Sequence, residues 1–227
     1  MIALLTVLAA AVAVSFGQVL VLRRRLDRVA YAEHELRAPV TALALACERW
    51  KRDDAGAERA AALEAQLDRL RAGLADLQAA RGEGRGEPRR ARVDVAHLAE
   101  ALLVPWTDRG GPPGPAPRST ATTLTTDRLR VAQVVGNLVT NAVEHGRGGV
   151  ELRSHATPSG ARLEVRNERG HPSAPEPGRG RGLAIAREAA RELGGRVEVR
   201  AEGEAVVASL DLPAAPEDRP SSARRAA

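Results

Sequence analysis

Gln133-Val134-Val135-Gly136-Asn137-Leu138-Val139-Thr140-Asn141-Ala142 is the stretch on which the reading of this chain turns. Asn137 and Asn141 are four residues apart, a spacing that puts both amides on one face of a helix, with His145 a turn further on. Val135, Leu138, Val139, Ala142 and Val143 flank them, so the amides border an apolar face. Amide oxygens placed there suit a hard cation and phosphate oxygens, because Mg²⁺ takes oxygen ligands and keeps several of its waters. Two hydrogen-bonded interface asparagines would produce the same pattern, and the helix alone does not separate these readings.

Working outward, the helix spans Asp127 to His145 and stops at Gly146. Before it come a helix over Val95–Leu103 and a Gly/Pro loop at 109–117. After it come strands at Val150–His155 and Arg162–Asn167 around the turn Pro158-Ser159-Gly160, and a Pro-rich loop at 168–179. A helix over Gly182–Leu193 is stopped by Gly194-Gly195, and a hairpin pairs Arg196–Ala201 with Glu204–Leu212. This mixture predicts one sheet covered by helices on a single face. Gly178-Arg179-Gly180-Arg181-Gly182-Leu183-Ala184-Ile185 places three alternate glycines just ahead of the last helix. Glycines let backbone N–H groups approach phosphate and a helix start adds a favourable field, although such a run is also what a plain loop contains.

Upstream, Leu36, Val40, Leu43, Cys47 and Trp50 are spaced four, three, four, three, and Leu63, Leu67, Leu70, Leu74 and Leu77 repeat the pattern. These are coiled-coil seams, separated by the turn Lys51-Arg52-Asp53-Asp54-Ala55-Gly56 with an Asp available as N-cap. The result is an antiparallel α-helical hairpin. One hairpin of this length buries too little to stand alone, so two are expected to form a dimeric four-helix bundle, a homodimer. In the first heptad register His34 falls at b, facing solvent, with Glu35 beside it. A neutral imidazole is a good nucleophile near neutral pH, and a neighbouring carboxylate can hold its other ring nitrogen. Pro39 kinks the helix just past this pair, or else begins a helix near Arg37.

Residues 1–22 carry no charge and are followed by Arg23-Arg24-Arg25. As a helix they span about 33 Å, enough for the hydrocarbon layer. A cleaved leader wants its basic residues first, so the run reads as an N-terminal transmembrane helix with the remainder in the cytoplasm. The chain therefore divides into an anchor (1–22), a hairpin (23–82), a Gly- and charge-rich linker (83–92), a globular domain (93–213) and a disordered tail (214–227). A formal charge of +5 invites a nucleic-acid reading, but aromatics are only 2% of the 227 residues, so stacking platforms are lacking and no nucleic-acid partner is expected. Cys47, the single cysteine, excludes an internal disulfide and reads as a small core residue. His97, His145, His155 and His171 are too scattered for a metal centre.

His34-Glu35-Leu36-Arg37-Ala38-Pro39-Val40-Thr41 resembles the H-box of the sensor histidine kinases of two-component systems. Gln133–Ala142 resembles their N-box, and Gly178–Ile185 their second glycine box. Order and spacing match over nearly all of residues 23–212. The resemblance implies a dimerising phosphoacceptor hairpin followed by an α/β sandwich of the Bergerat ATP-binding type, with ATP and Mg²⁺ as cofactors. It makes His34 the nucleophile and Glu35 its orienting base, Asn141 the Mg²⁺ ligand, and Asn137 a residue on the phosphate side. His145, Asn167, Gly178, Gly180, Arg181, Gly182 and Leu183 complete the nucleotide contacts. In ATP-hydrolysing relatives a glutamate at the place of Asn137 activates water; an amide cannot, which fits transfer to histidine. The phosphoryl group would then pass to an aspartate on the receiver domain of a response regulator.

Four departures from the family pattern stand out. Asn167-Glu168-Arg169-Gly170-His171 replaces an Asp-x-Gly-x-Gly box whose aspartate accepts from the adenine amino group; an Asn oxygen can accept that bond without the charge. Arg181 replaces a usual leucine, and the lid has no phenylalanine. Ala38 stands where many relatives carry a water-positioning Thr or Asn, so the expected phosphatase activity toward the regulator is weak. The expectation is a membrane-anchored histidine kinase, its input arriving through the anchor, the linker or a separate sensory protein. The alternative is a catalytically degenerate member acting as a dimeric signalling scaffold.

Overall fold

The computed structural model describes residues 56–82, 87–107, 118–119, 122–170 and 181–215, with the isolated positions 15, 18, 40, 43 and 47. The expected nucleophile His34 and its neighbour Glu35, the glycines Gly178 and Gly180, and all of the expected anchor but Ser15 and Gln18 lie outside these residues. Among the described residues no helix is long and apolar enough to cross a membrane.

The chain runs α1 (Ala57–Ala80), β1 (Arg90–Asp94), α2 (Val95–Thr107), β2 (Arg118–Ser119), β3 (Thr123–Asp127), α3 (Arg128–His145), β4 (Gly146–Thr157), β5 (Gly160–Arg169), α4 (Arg181–Glu192), β6 (Arg196–Glu202) and β7 (Ala205–Pro213). Five strands form one sheet in the order β2-β4-β5-β7-β6, in which β2 is parallel to β4 and the other pairs are antiparallel. A separate two-stranded ribbon joins β1 to β3 with Val93 opposite Leu124.

Strand alternation sorts the large sheet into two faces. Leu152, Ser154, Leu163, Val165, Leu210 and Leu212 are buried on one, beneath Val131, Val135, Leu138 and Val139 of α3 and Ala186, Ala189 and Ala190 of α4. The other face carries Glu151, Arg153, Arg162, Glu164, Arg166, Arg200 and Asp211, cross-linked by ion pairs. The helices therefore cover a single side, as the sequence pattern implies. Asp127 caps α3, its Oδ1 accepting from the amides of Leu129 at 2.9 Å and Arg130 at 3.3 Å. Helix α4 ends in a Schellman turn: Gly194, at φ +73°, donates to the Arg191 carbonyl and Gly195 to that of Ala190.

Several boundaries differ from the sequence reading. Strand β1 begins at Arg90, within the stretch assigned to the linker, and β3 precedes α3 where no strand is expected. Helix α2 runs four residues past Leu103, through Pro105, because Trp106 packs against the core. The expected tail begins later, since Ala214 donates to the Ser159 carbonyl and Ala215 is buried. The N-cap of α1 is Gly56, with no side-chain cap, rather than an aspartate.

Helix α1 packs on two sides. Leu67 and Leu74, with Leu63 at their margin, meet Val40 and Cys47 in a small second core, which gives Cys47 the packing role its register implies. The alanine side meets the globular domain, and Ala65 belongs to the main core. Charged contacts join the two bodies: Asp68 binds Arg128 at 2.6 Å, and Asp76 accepts from Arg130 at 2.7 Å and from Gln133 at 2.6 Å. Arg130 also reaches Glu192 at 3.0 Å.

Candidate functional site

Helix α3 presents Asn137, Asn141 and His145 along one side, all half-buried. The Nδ2 of Asn137 donates to the Gln133 carbonyl at 2.8 Å, which turns its Oδ1 outward. A side chain added at Gly182, in the first turn of α4, would begin 3.3 Å from that oxygen. The carboxamide is thus the wall against which the glycine-rich helix start is set, and only glycine fits there without displacing it. Asn141 makes no side-chain hydrogen bond among the described residues, so its oxygen is available to a cation.

Asn167 lies near the end of β5 and is buried, 7% exposed. Its side chain fills the notch made by Gly146, where any Cβ would overlap the amide nitrogen. Nδ2 donates to the Glu168 carbonyl at 3.0 Å, while no donor among the described residues reaches Oδ1. A buried acceptor left open in this way costs free energy until a donor meets it, which suits an exocyclic amino group of a base. The adjoining backbone is tied down by the Gly170 amide, which donates to the His145 carbonyl at 3.2 Å. The residues therefore fit a nucleotide: Asn167 toward the base, Asn137, Asn141 and Gly182 toward phosphate and cation. Leu183 is half-buried beside the core, and the backbone of Arg181 begins α4.

One residue at this site carries no family motif. Arg69 reaches from α1 across Gly136, donating to Thr140 Oγ1 at 2.9 Å and to Asn137 Oδ1 at 3.4 Å. A Cβ at Gly136 would lie 2.6 Å from Arg69 Cδ, so the glycine is the groove in which the arginine stem rests. Burial lowers the Arg69 pKa from the ordinary guanidinium range, and the charge of Glu144 opposes this. The signal available in the sequence was Gly136 itself, a glycine inside a helix whose neighbours are otherwise apolar or amide. A cavity of about 860 Å³ lies elsewhere, between Ala72, Asp127, Leu193 and Pro213, and none of the asparagines lines it.

The family model for histidine kinase-, DNA gyrase B- and HSP90-like ATPases matches residues 126–215, the stretch that holds Asn137, Asn141, Asn167 and Gly182. This stretch is similar to the ATPase domains of that family. Many solved structures resemble the chain, among them two over most of its length. Full-length ShkA in complex with AMPPNP is 26% identical over 84% of this chain and 47% of its own, with a TM-score of 0.50. The Acinetobacter baumannii histidine kinase AdeS is 22% identical over 79% of this chain and 97% of its own, also at 0.50, a likeness of fold. No curated protein sequence matches the chain. Over residues 126–215 the α/β fold is consistent with the Bergerat expectation, and the expected hairpin lies outside the matched residues.

Proposed function

We propose that the chain is a membrane-anchored, homodimeric histidine kinase that phosphorylates His34 from Mg·ATP and passes the phosphoryl group to an aspartate of a response regulator. The observation that carries this reading is Asn137, an amide fixed against the phosphate-side helix where a hydrolase needs a carboxylate to activate water. Asn167 offers its open Oδ1 to the adenine amino group, and Asn141 holds Mg²⁺, which neutralises phosphate charge when bound. A ring nitrogen of His34 forms the P–N bond as the bond from the γ-phosphorus to the β–γ bridging oxygen breaks. ADP leaves, and Glu35 holds the proton on the other ring nitrogen.

Homodimerisation is supported by α1. Leu70 and Leu77, seven residues apart, are 40% and 41% exposed, and Leu43 is 43% exposed. Helix α1 thus carries an exposed leucine stripe of the kind that a four-helix bundle would bury.

Incubating the detergent-purified full chain with ATP labelled on its terminal phosphate tests the reading. Acid-labile, base-stable label is expected, and His34→Gln should abolish it; label that persists in that variant overturns the assignment. The scaffold alternative draws on Asn167, which supplies no charge to the base, and the absence of measurable nucleotide binding would favour it.

A further inference from the structure

We propose that Arg69 is a nucleotide-binding residue, the positive charge that α1 contributes to the triphosphate held by the ATPase domain. The inference rests on the placement of nucleotide given above and adds a contact from outside the domain. Three observations carry it. The guanidinium lies at the Oδ1 of Asn137, the oxygen that also faces the first turn of α4 at Gly182. Its acceptors, Thr140 and Asn137, are both neutral, and among the described residues no carboxylate pairs with it. The neighbouring arginines behave otherwise: Arg128 is matched by Asp68, and Arg130 by Asp76 and Glu192.

A partly buried cation that feels Glu144 only at a distance and makes no ion pair among the described residues is incompletely compensated, and its lowered pKa expresses the same burial. An anion on the phosphate side would relieve it. At the separations involved, a guanidinium in a partly desolvated site interacts far more strongly with a polyanion than a long 3.4 Å bond to a neutral amide does. Loss of the Asn137 contact on nucleotide binding would therefore be outweighed. The consequence is that the phosphate side is complete only while α1 is docked, so the hairpin and the nucleotide site are thermodynamically linked.

The test is calorimetric titration of the full chain with ATP, ADP and adenosine at fixed Mg²⁺, comparing wild type with Arg69→Gln and Arg69→Lys. Arg69→Gln is expected to weaken ATP by about tenfold, ADP by less and adenosine not at all, while Arg69→Lys retains most of the ATP affinity. Gly136→Ala, which pushes the arginine stem aside and leaves its charge in the chain, should reproduce the Gln pattern even if Arg69→Gln folds poorly. Equal losses for all three ligands would mean that Arg69 only supports the fold, and unchanged or tighter ATP binding would mean that it competes for Asn137; either overturns the proposal. Failure of the wild type to bind any of the three removes the nucleotide reading itself and this inference with it.

Discussion

The amide nitrogen of Asn167 donates to the carbonyl of Glu168 at 3.0 Å, which commits its oxygen to face away as an acceptor. A neutral amide can thus present to a base the same polarity as a carboxylate, with its orientation set by the adjoining backbone. Asn167→Asp, the substitution toward the family pattern, would place an acceptor against that carbonyl. We expect a loss of about 1–2 kcal/mol in folding stability, read from chemical denaturation, despite the resemblance gained.

Arg130 is a second point of stress. It is 9% exposed and bound to Asp76, Gln133 and Glu192. Arg130→Met leaves Asp76 and Glu192 without their shared cation, and because both carboxylates are partly exposed the loss of these charge-assisted hydrogen bonds costs about 1–3 kcal/mol. Because Asp76 is on α1 and Glu192 on α4, the variant should expose α1 to protease before the sheet is cut.

Much of this architecture was legible. The turn at Pro158-Ser159-Gly160, the Gly194-Gly195 stop and the Asp127 cap each carry strong local chemistry, and the elements around them match closely. Strands β1 and β3 were not legible. Thr123-Leu124-Thr125-Thr126-Asp127 holds a single large apolar residue, so hydrophobic alternation is nearly silent, and its burial comes from pairing with β1. The asparagines were visible because a motif marks them. Arg69 was not, because its role follows from how α1 is seated across Gly136, a long-range contact without a spacing rule.

Acid should weaken the outer face of the sheet. Arg162 binds Asp211 through two bonds of 2.6 and 2.9 Å. That hydrogen bonding holds the Asp211 carboxyl below its ordinary range, with burial opposing. A carboxylate whose folded pKa is depressed contributes stability above its unfolded value near ~3.9, and loses it as pH falls through the folded one. Asp211→Asn should therefore lower Tm at neutral pH, by about 1 kcal/mol in free energy, and the gap from wild type should close in acid. A gap that persists at pH about 2 would contradict this.

The open leucine stripe gives a prediction in association. Leu70→Glu with Leu77→Glu should convert a dimer of the full chain to monomer, measured by light scattering in detergent. The Leu67 and Leu74 contacts within one chain should remain intact.

Strand β6 lies at the margin of the five-stranded sheet, pairs with β7 alone, and carries Arg196, Glu198, Arg200 and Glu202 in alternation. Unlike charges closely interleaved along a sheet margin discourage another strand from annealing there. Two copies joined at their stems would hold their sheets at very high local concentration, where an unguarded margin would fuse them. A charged border of this kind would keep the two sheets from annealing.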